Sequence, residues 1–165
     1  MKKILAALLA CILCLSLGVS AVADTAQYAS TRSFLAAMEE AGVACVNRGL
    51  DVDGDEHIVI TDPDKSISYT IHFFFEENEQ HASLFAWNII TFDQADTLRL
   101  MYVCNTLNDS YNYTCWYVDE TDNTITCSMN LIYRDDNVDE VVTEAMVYMM
   151  KIIEAAYPSL SPYIK

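Results

Sequence analysis

The sequence predicts an α+β domain with a mostly antiparallel sheet packed by helices. Segments with strand-like periodicity occur in consecutive blocks and do not alternate one for one with helical segments. The resulting order is a helix, several strands, a helix, a hairpin and a final helix. No linker rich in Pro, Gly or Ser and no repeat interrupts residues 24–165, so they are predicted to form a single domain.

The first helix is predicted over residues 31–41, where apolar side chains recur at helical spacing. Ser30 or Thr31 can act as its N-cap, because a short side-chain oxygen accepts hydrogen bonds from the first backbone N–H groups. Gly42 lies where a helix commonly ends in a left-handed residue.

The second helix is predicted to begin near Asp93, which can cap it, and to end near residue 110. Four of its side chains share one face at spacing i, i+3, i+4 and i+7: Leu100, Val103, Cys104 and Leu107. The third helix is predicted over residues 138–157, with an apolar core stripe along its length. Pro158 is expected to stop it.

Strands are predicted where apolar and polar residues alternate or where short apolar runs lie between turn residues. The predicted segments are 43–46, 57–61, 66–75 and 82–90, followed by a hairpin of 111–117 and 125–131. Acidic residues dominate the turns at 51–55, 62–64, 76–80 and 119–123. The alternation in 66–73 predicts one buried sheet face.

Residues 1–23 are predicted to be a secretory signal peptide. Lys2 and Lys3 precede the uncharged run 4–19, and Ala21-Val22-Ala23 forms a small-x-small cleavage site. Two alternatives remain open: an uncleaved anchor, and a lipid anchor at Cys11, because residues 8–11 loosely resemble a lipidation box. We expect cleavage after Ala23 and a secreted or extracytoplasmic protein without stable membrane insertion.

The charge balance argues against partners with negative charge. The chain has 24 acidic and nine basic residues, a net charge of −15, and residues 24–165 carry −17 because two lysines precede them. The remaining basic residues are scattered singly, whereas nucleic-acid binding requires clustered Lys and Arg. Nucleic acids and anionic lipid surfaces are therefore excluded as expected partners.

Neither catalysis nor a cofactor is predicted. The chain lacks the nucleophile-elbow, zincin, P-loop and dinucleotide motifs. His57, His72 and His81 lie on separate predicted strands without metal-ligand spacing, so we interpret them as surface or hydrogen-bonded histidines. In the turn that begins at Asp51, Gly54 is at the fourth position and Ile60 at the twelfth, which does not match a calcium loop.

Four cysteines follow the predicted signal peptide, and they permit three disulfide pairings. None belongs to a CxxC motif, which argues against a redox or zinc site. We interpret them as buried free thiols, although an exported protein also permits disulfides. They are Cys45, Cys104, Cys115 and Cys127.

Two helices carry more apolar residues than one core-facing stripe requires. A helix that is apolar nearly all round must be covered on every side. Other elements of the same domain could cover these faces, or a binding partner could. The predicted partner-binding residues are Leu98, Met101, Tyr102, Met146, Tyr148 and Met150.

Four short motifs in the second half of the chain carry a resemblance to a known family. They are Cys104-Asn105-Thr106-Leu107-Asn108, Tyr111-Asn112-Tyr113, Trp116-Tyr117-Val118-Asp119-Glu120 and Ile153-Glu154-Ala155-Ala156-Tyr157-Pro158. On these motifs the chain, over roughly residues 34–160, resembles the YbjN family, also called the bacterial sensory transduction regulator family. The resemblance implies an α-β-β-β-α-β-β-α domain like that of type III secretion chaperones, often dimeric and without established catalytic residues.

These observations predict an exported, non-catalytic protein-binding module, chaperone-like or regulatory, that acts as a homodimer on polypeptide segments. One feature departs from the secretion chaperones, which work in the cytosol, because this chain carries an export signal. The alternative function is an extracytoplasmic small-ligand or cation-binding protein that uses the acidic turns.

Overall fold

The computed structural model of the chain describes residues 25–61, 67, 69–134 and 136–165. The predicted signal peptide with Cys11 and its cleavage site, the turn at 62–64 and the start of the strand predicted at residue 66 lie outside the described residues. The helices are α1 (Ala29–Glu40), α2 (Thr97–Ser110) and α3 (Val138–Leu160). The strands are β1 (Cys45–Leu50), β2 (Glu56–Thr61), β3 (Thr70–Phe75), β4 (His81–Trp87), β5 (Cys115–Asp119) and β6 (Thr124–Ile132).

The α+β prediction is confirmed. The six strands form one sheet in the order β1-β2-β3-β4-β6-β5, and all neighbouring strands are antiparallel. The order that the family resemblance implies, with three strands between the first two helices, is wrong. The four segments predicted there from the residue pattern, 43–46, 57–61, 66–75 and 82–90, each correspond to a strand of the structure. The additional strand completes two successive hairpins, β1–β2 and β3–β4.

The helices pack on one face of the sheet, which we call the inner face. In β3, Ile71, Phe73 and Phe75 point inward and are buried. Phe34 of α1 lies over this row, with its ring centroid 4.9 Å from that of Phe73 and 5.3 Å from that of Phe75. Burial of such large apolar side chains is the main contribution to folding stability.

The C-terminus of α1 is formed as predicted. Gly42 has φ of +72° and donates its backbone N–H to the carbonyl of Glu39, while Val43 donates to the carbonyl of Met38. These two bonds satisfy carbonyls that the helix itself leaves unpaired, as in a Schellman motif. The left-handed backbone explains the glycine.

The predicted N-cap of α1 is wrong. Tyr28 is the N-cap residue and provides no side-chain cap. Ser30 and Thr31 are buried inside the helix, and their hydroxyl groups have no hydrogen-bond partner within the described ranges. Carboxylates from the sheet region replace the local cap, which a local sequence pattern could not reveal.

Glu56 of β2 accepts most of the hydrogen bonds that replace the local cap. Its side chain is fully buried and accepts hydrogen bonds from the backbone N–H groups of Gln27 and Tyr28 and from the side-chain amide of Asn47, at 2.9–3.1 Å. Glu79, in the β3–β4 turn, accepts the N–H of Ser30 at 3.0 Å. Both carboxylates also lie at the positive end of the helix dipole.

The second helix begins later than predicted, after a short 3₁₀ turn at Gln94–Asp96. Asp93 makes no side-chain cap, and its carboxylate instead pairs with Lys165 Nζ at 2.7 Å. Near the end of α2, the side-chain amide of Asn108 donates to the carbonyl of Trp116 and accepts its N–H, at 2.9 and 2.7 Å. Asn108 thereby pairs with the backbone of edge strand β5.

The third helix extends to Leu160, so Pro158 does not stop it where predicted. A proline removes one intrahelical hydrogen bond, which matters less in the final turn. Leu160 is fully buried in the hydrophobic core, and this packing supports the last turn.

The four cysteines after residue 24 are free. Cys45, Cys104 and Cys127 are buried, as predicted, whereas Cys115 is exposed. Burial raises the pKa of Cys45 to about 12 and that of Cys104 to about 11. These two thiols are therefore protonated at neutral pH and poor nucleophiles.

Candidate binding surfaces

The exposed side of α2 carries the most exposed side chains of the predicted partner-binding set. Leu98 is 80% exposed and Tyr102, one turn further on, is 75% exposed. Met101 is half-buried between them. We call these three residues the helical patch. They lie opposite the buried stripe of Leu100, Cys104 and Leu107.

A shallow groove of about 200 Å³ adjoins the helical patch. It lies between α2 and the end of α3. Its lining residues are Tyr102, Val103, Thr106, Leu107 and Ser159. This volume is below the roughly 300–1,000 Å³ typical of sites for drug-sized ligands, and it suits a single side chain of a partner.

The predicted residues of α3 are divided between core and surface. Met146 is only 2% exposed and belongs to the core, so its assignment to a partner surface is corrected. Met150 is half-buried and packs against the core. Tyr148 is 44% exposed and makes an edge-to-face contact with Tyr113, with ring centroids 5.8 Å apart.

These residues do not form one continuous site. Tyr102 lies near Ser159 in the groove, whereas Tyr148 contacts Tyr113. Ser159 and Tyr148 are about three helical turns apart along α3. The helical patch is therefore the part of the predicted set that combines exposure with a groove.

The outer face of the sheet carries a second surface, which the sequence analysis did not identify. We call it the aromatic–histidine cluster: His57 of β2, His72 and Phe74 of β3, and Phe85 and Trp87 of β4. All five side chains are half-buried. The ring of His57 stacks on that of Phe74 with ring centroids 4.4 Å apart, and the ring centroids of His72 and Trp87 are 4.0 Å apart.

Two histidines join the cluster by a hydrogen bond. Nε2 of His57 and Nδ1 of His72 are 2.9 Å apart, which requires one neutral ring to donate and the other to accept. Burial lowers the pKa of His72 to about 4, with smaller contributions from His57 and the positive charge of Arg48. Burial also lowers the pKa of His57. Both rings are therefore neutral at pH 7.

The outward positions of β2, β3, β4 and β6 contain no acidic residue, although the chain has 24. Hydroxyl and amide side chains border the cluster on β6, including Ser128 beside Phe85 and Asn130 beside Ser83. Arg48 lies near the opposite margin, where its charge lowers the pKa of both histidines. The outer face is therefore aromatic at its centre and free of carboxylates on these four strands, and Asp119 lies on its outward side only at the end of edge strand β5.

The acidic turns, in contrast, are organised by internal hydrogen bonds. The Oδ1 atom of Asp51 accepts the backbone N–H groups of Asp53 and Asp55 at 2.9 and 3.0 Å. His81 lies 3.3 Å from a carboxylate oxygen of Glu76 in the β3–β4 turn. Within the described part of the chain, no group of three or more His, Cys, Asp or Glu side chains could hold a metal ion.

A sequence signal for the cluster was present in the consecutive phenylalanines 73–75. Strict alternation predicts a polar residue at position 74, so an apolar residue there places an aromatic ring on the outer face. Phe85 and Trp87 provide the same signal in β4, where Leu84 and Ala86 face inward.

No protein-family model matches the chain, and searches of curated proteins and of solved structures found no match either. The resemblance to the YbjN family thus stays a prediction from sequence motifs. Among the described residues, no helix has the length and apolar character needed to cross a membrane.

Proposed function

We propose that this chain is an exported, non-catalytic module that binds polypeptide segments through the helical patch and acts as a homodimer. The observation that carries the proposal is the exposure of Leu98 and Tyr102 on one side of α2, beside a groove sized for one side chain. Burying such a side chain contributes about 1.5–3 kcal/mol.

The charge of the chain indicates the kind of segment. A net charge of −15 attracts basic polypeptides and repels acidic ones. Next to Leu98 of the helical patch, the positive charge of Arg99 is paired with Asp96 at 3.1 Å. The best ligand is therefore a segment with one large apolar anchor and flanking Lys or Arg residues.

Fluorescence anisotropy with labelled 15-residue peptides tests this proposal. The probes are a peptide with a central Leu between Lys residues, a copy with Ser in place of Leu, and a copy with Glu in place of Lys. We expect the Leu–Lys peptide to bind at least about tenfold more tightly than either copy, because each copy loses one of the two interactions.

The variant for this experiment is the double change Leu98→Asp and Tyr102→Asp, which should weaken binding of the Leu–Lys peptide about tenfold or more. Val52→Asp is the matched control, since Val52 is also highly exposed but lies in the turn between β1 and β2. Equal affinity of the parent and the double variant would contradict the role of the helical patch.

A further inference from the structure

We infer that the outer sheet face, centred on the aromatic–histidine cluster, is the surface where a second copy of this chain docks. This inference rests on the homodimer of the proposed function and names its interface. It assigns self-association to the sheet and leaves the helical patch to polypeptide segments.

The distribution of charge is the first argument for a second copy. Two chains with a net charge of −15 repel each other over most of their surfaces. The outward positions of β2, β3, β4 and β6 have no Asp or Glu, so two such faces meet without opposing carboxylates on these four strands. A basic partner would be attracted to the acidic turns instead of this neutral face.

The shape of the face is the second argument. Neighbouring strands lie about 4.8 Å apart, so a single extended peptide would cover one strand width of a six-stranded sheet. The cluster alone extends over three strands, from His57 on β2 to Phe85 and Trp87 on β4. A second sheet covers such a face, because sheets pack face to face at about 10 Å.

The arrangement of polar and apolar groups is the third argument. Interfaces commonly have an aromatic centre and a polar rim. Here the stacked rings occupy the central strands, while Ser128 and Asn130 lie on β6 towards one edge and Arg48 lies towards the other. A two-fold dimer requires a self-complementary patch, and a neutral aromatic patch can pair with itself.

Sedimentation equilibrium of the purified chain tests the inference, with Phe85→Glu as the main variant. We expect the parent to have the mass of two chains. The variant should raise the dimer dissociation constant at least about 30-fold, because one carboxylate from each copy enters the contact. Far-UV circular dichroism checks that the Phe85→Glu variant is folded. If it is unfolded, Phe85→Thr replaces it in the experiment, because threonine is favourable in a strand.

The matched control is Tyr102→Glu, which places the same charge on the helical patch and should leave the dimer intact. A monomeric parent would overturn the inference and leave the outer face to another protein or ligand. A dimer that survives Phe85→Glu, or that dissociates only with Tyr102→Glu, would overturn it as well.

The peptide-binding experiment separates this inference from the rest of the proposed function. Folded Phe85→Glu should bind the Leu–Lys peptide with the affinity of the parent. Peptide binding by a monomeric parent would support the helical patch while overturning the sheet interface. A dimer that depends on Phe85 but does not bind the peptide would support the sheet interface and contradict peptide binding by the helical patch.

Discussion

Phe73 and Phe74 are neighbours in β3, but they lie on opposite faces of the sheet and in different surroundings. Phe73 is fully buried against Phe34 of α1. Phe74 is half-buried and stacks on His57. The inner aromatic ring is covered by the protomer itself, whereas the outer ring is covered only in part by its neighbours on the sheet.

The comparison separates the structural role of apolar residues from their role in binding. Inner-face side chains stabilise the protomer because the helices remove them from water. Outer-face rings still have apolar surface exposed, which a partner could bury. The same sheet can therefore provide a core on one side and an interaction surface on the other.

The largest expected effect comes from truncating these two rings in turn. Phe73→Ala should reduce the free energy of unfolding by about 4 kcal/mol, because it leaves a cavity in the core. Phe74→Ala should reduce it by only about 1 kcal/mol. Both changes are made in the Phe85→Glu background, which we expect to be monomeric. Urea denaturation of the two variants measures both values, and equal losses would refute the distinction between the faces.

The next effect concerns Glu56, the charged residue of β2 that points to the inner face. Glu56→Gln should reduce the free energy of unfolding by about 3 kcal/mol, since the new amide group cannot accept all the N–H donors at the start of α1. Thermal or urea denaturation gives the value. Glu77→Gln, an exposed change in the nearby turn, should have almost no effect; a similar loss in both variants would argue for a general charge effect.

The smallest expected effect is the pH dependence caused by His72 on the outer face. In the unfolded chain His72 binds a proton below its ordinary pKa of 6.5, but in the folded chain only below about 4. Its contribution to stability is therefore complete above pH 6.5 and is lost as the pH falls towards 4. Because the ring is half-exposed, we expect a loss of about 1 kcal/mol.

Comparing the parent with His72→Asn isolates this effect from the titration of the carboxylates, which both proteins share. If the parent is more stable than His72→Asn at pH 7, the denaturation midpoints of the two proteins should approach each other as the pH falls from 7 to 4. Parallel pH profiles would show that protonation of His72 does not oppose folding.

Much of the helical packing could be predicted because the sequence pattern that specifies it is local. Leu100, Val103, Cys104 and Leu107 were expected on one side of α2; three of them are buried there, and Val103 is half-buried. Gly42 was expected to be left-handed after α1, and its φ is positive. In both cases the controlling geometry, a helical period or a single backbone angle, involves only neighbouring residues.

The candidate binding surfaces could be predicted only in part. Leu98 and Tyr102 are exposed on α2, whereas Met146 was expected at a surface and is buried. Helical spacing shows that a residue lies outside the main stripe, but not which other elements pack against it. For α3 that depends on α1, α2 and the sheet, which approach it from several directions.

By itself, the amino-acid sequence determined the α+β class, the alternation of the strands, the buried stripes of the helices and the strongly acidic character of the chain. The tertiary structure decided the order of the six strands in the sheet, the cap that Glu56 provides and the meeting of His57, His72, Phe74, Phe85 and Trp87. These features depend on strand pairing and long-range hydrogen bonds between residues distant in sequence, such as Glu56 and Gln27. Local periodicity specifies which face of an element is apolar, but only the assembled sheet determines which faces become covered.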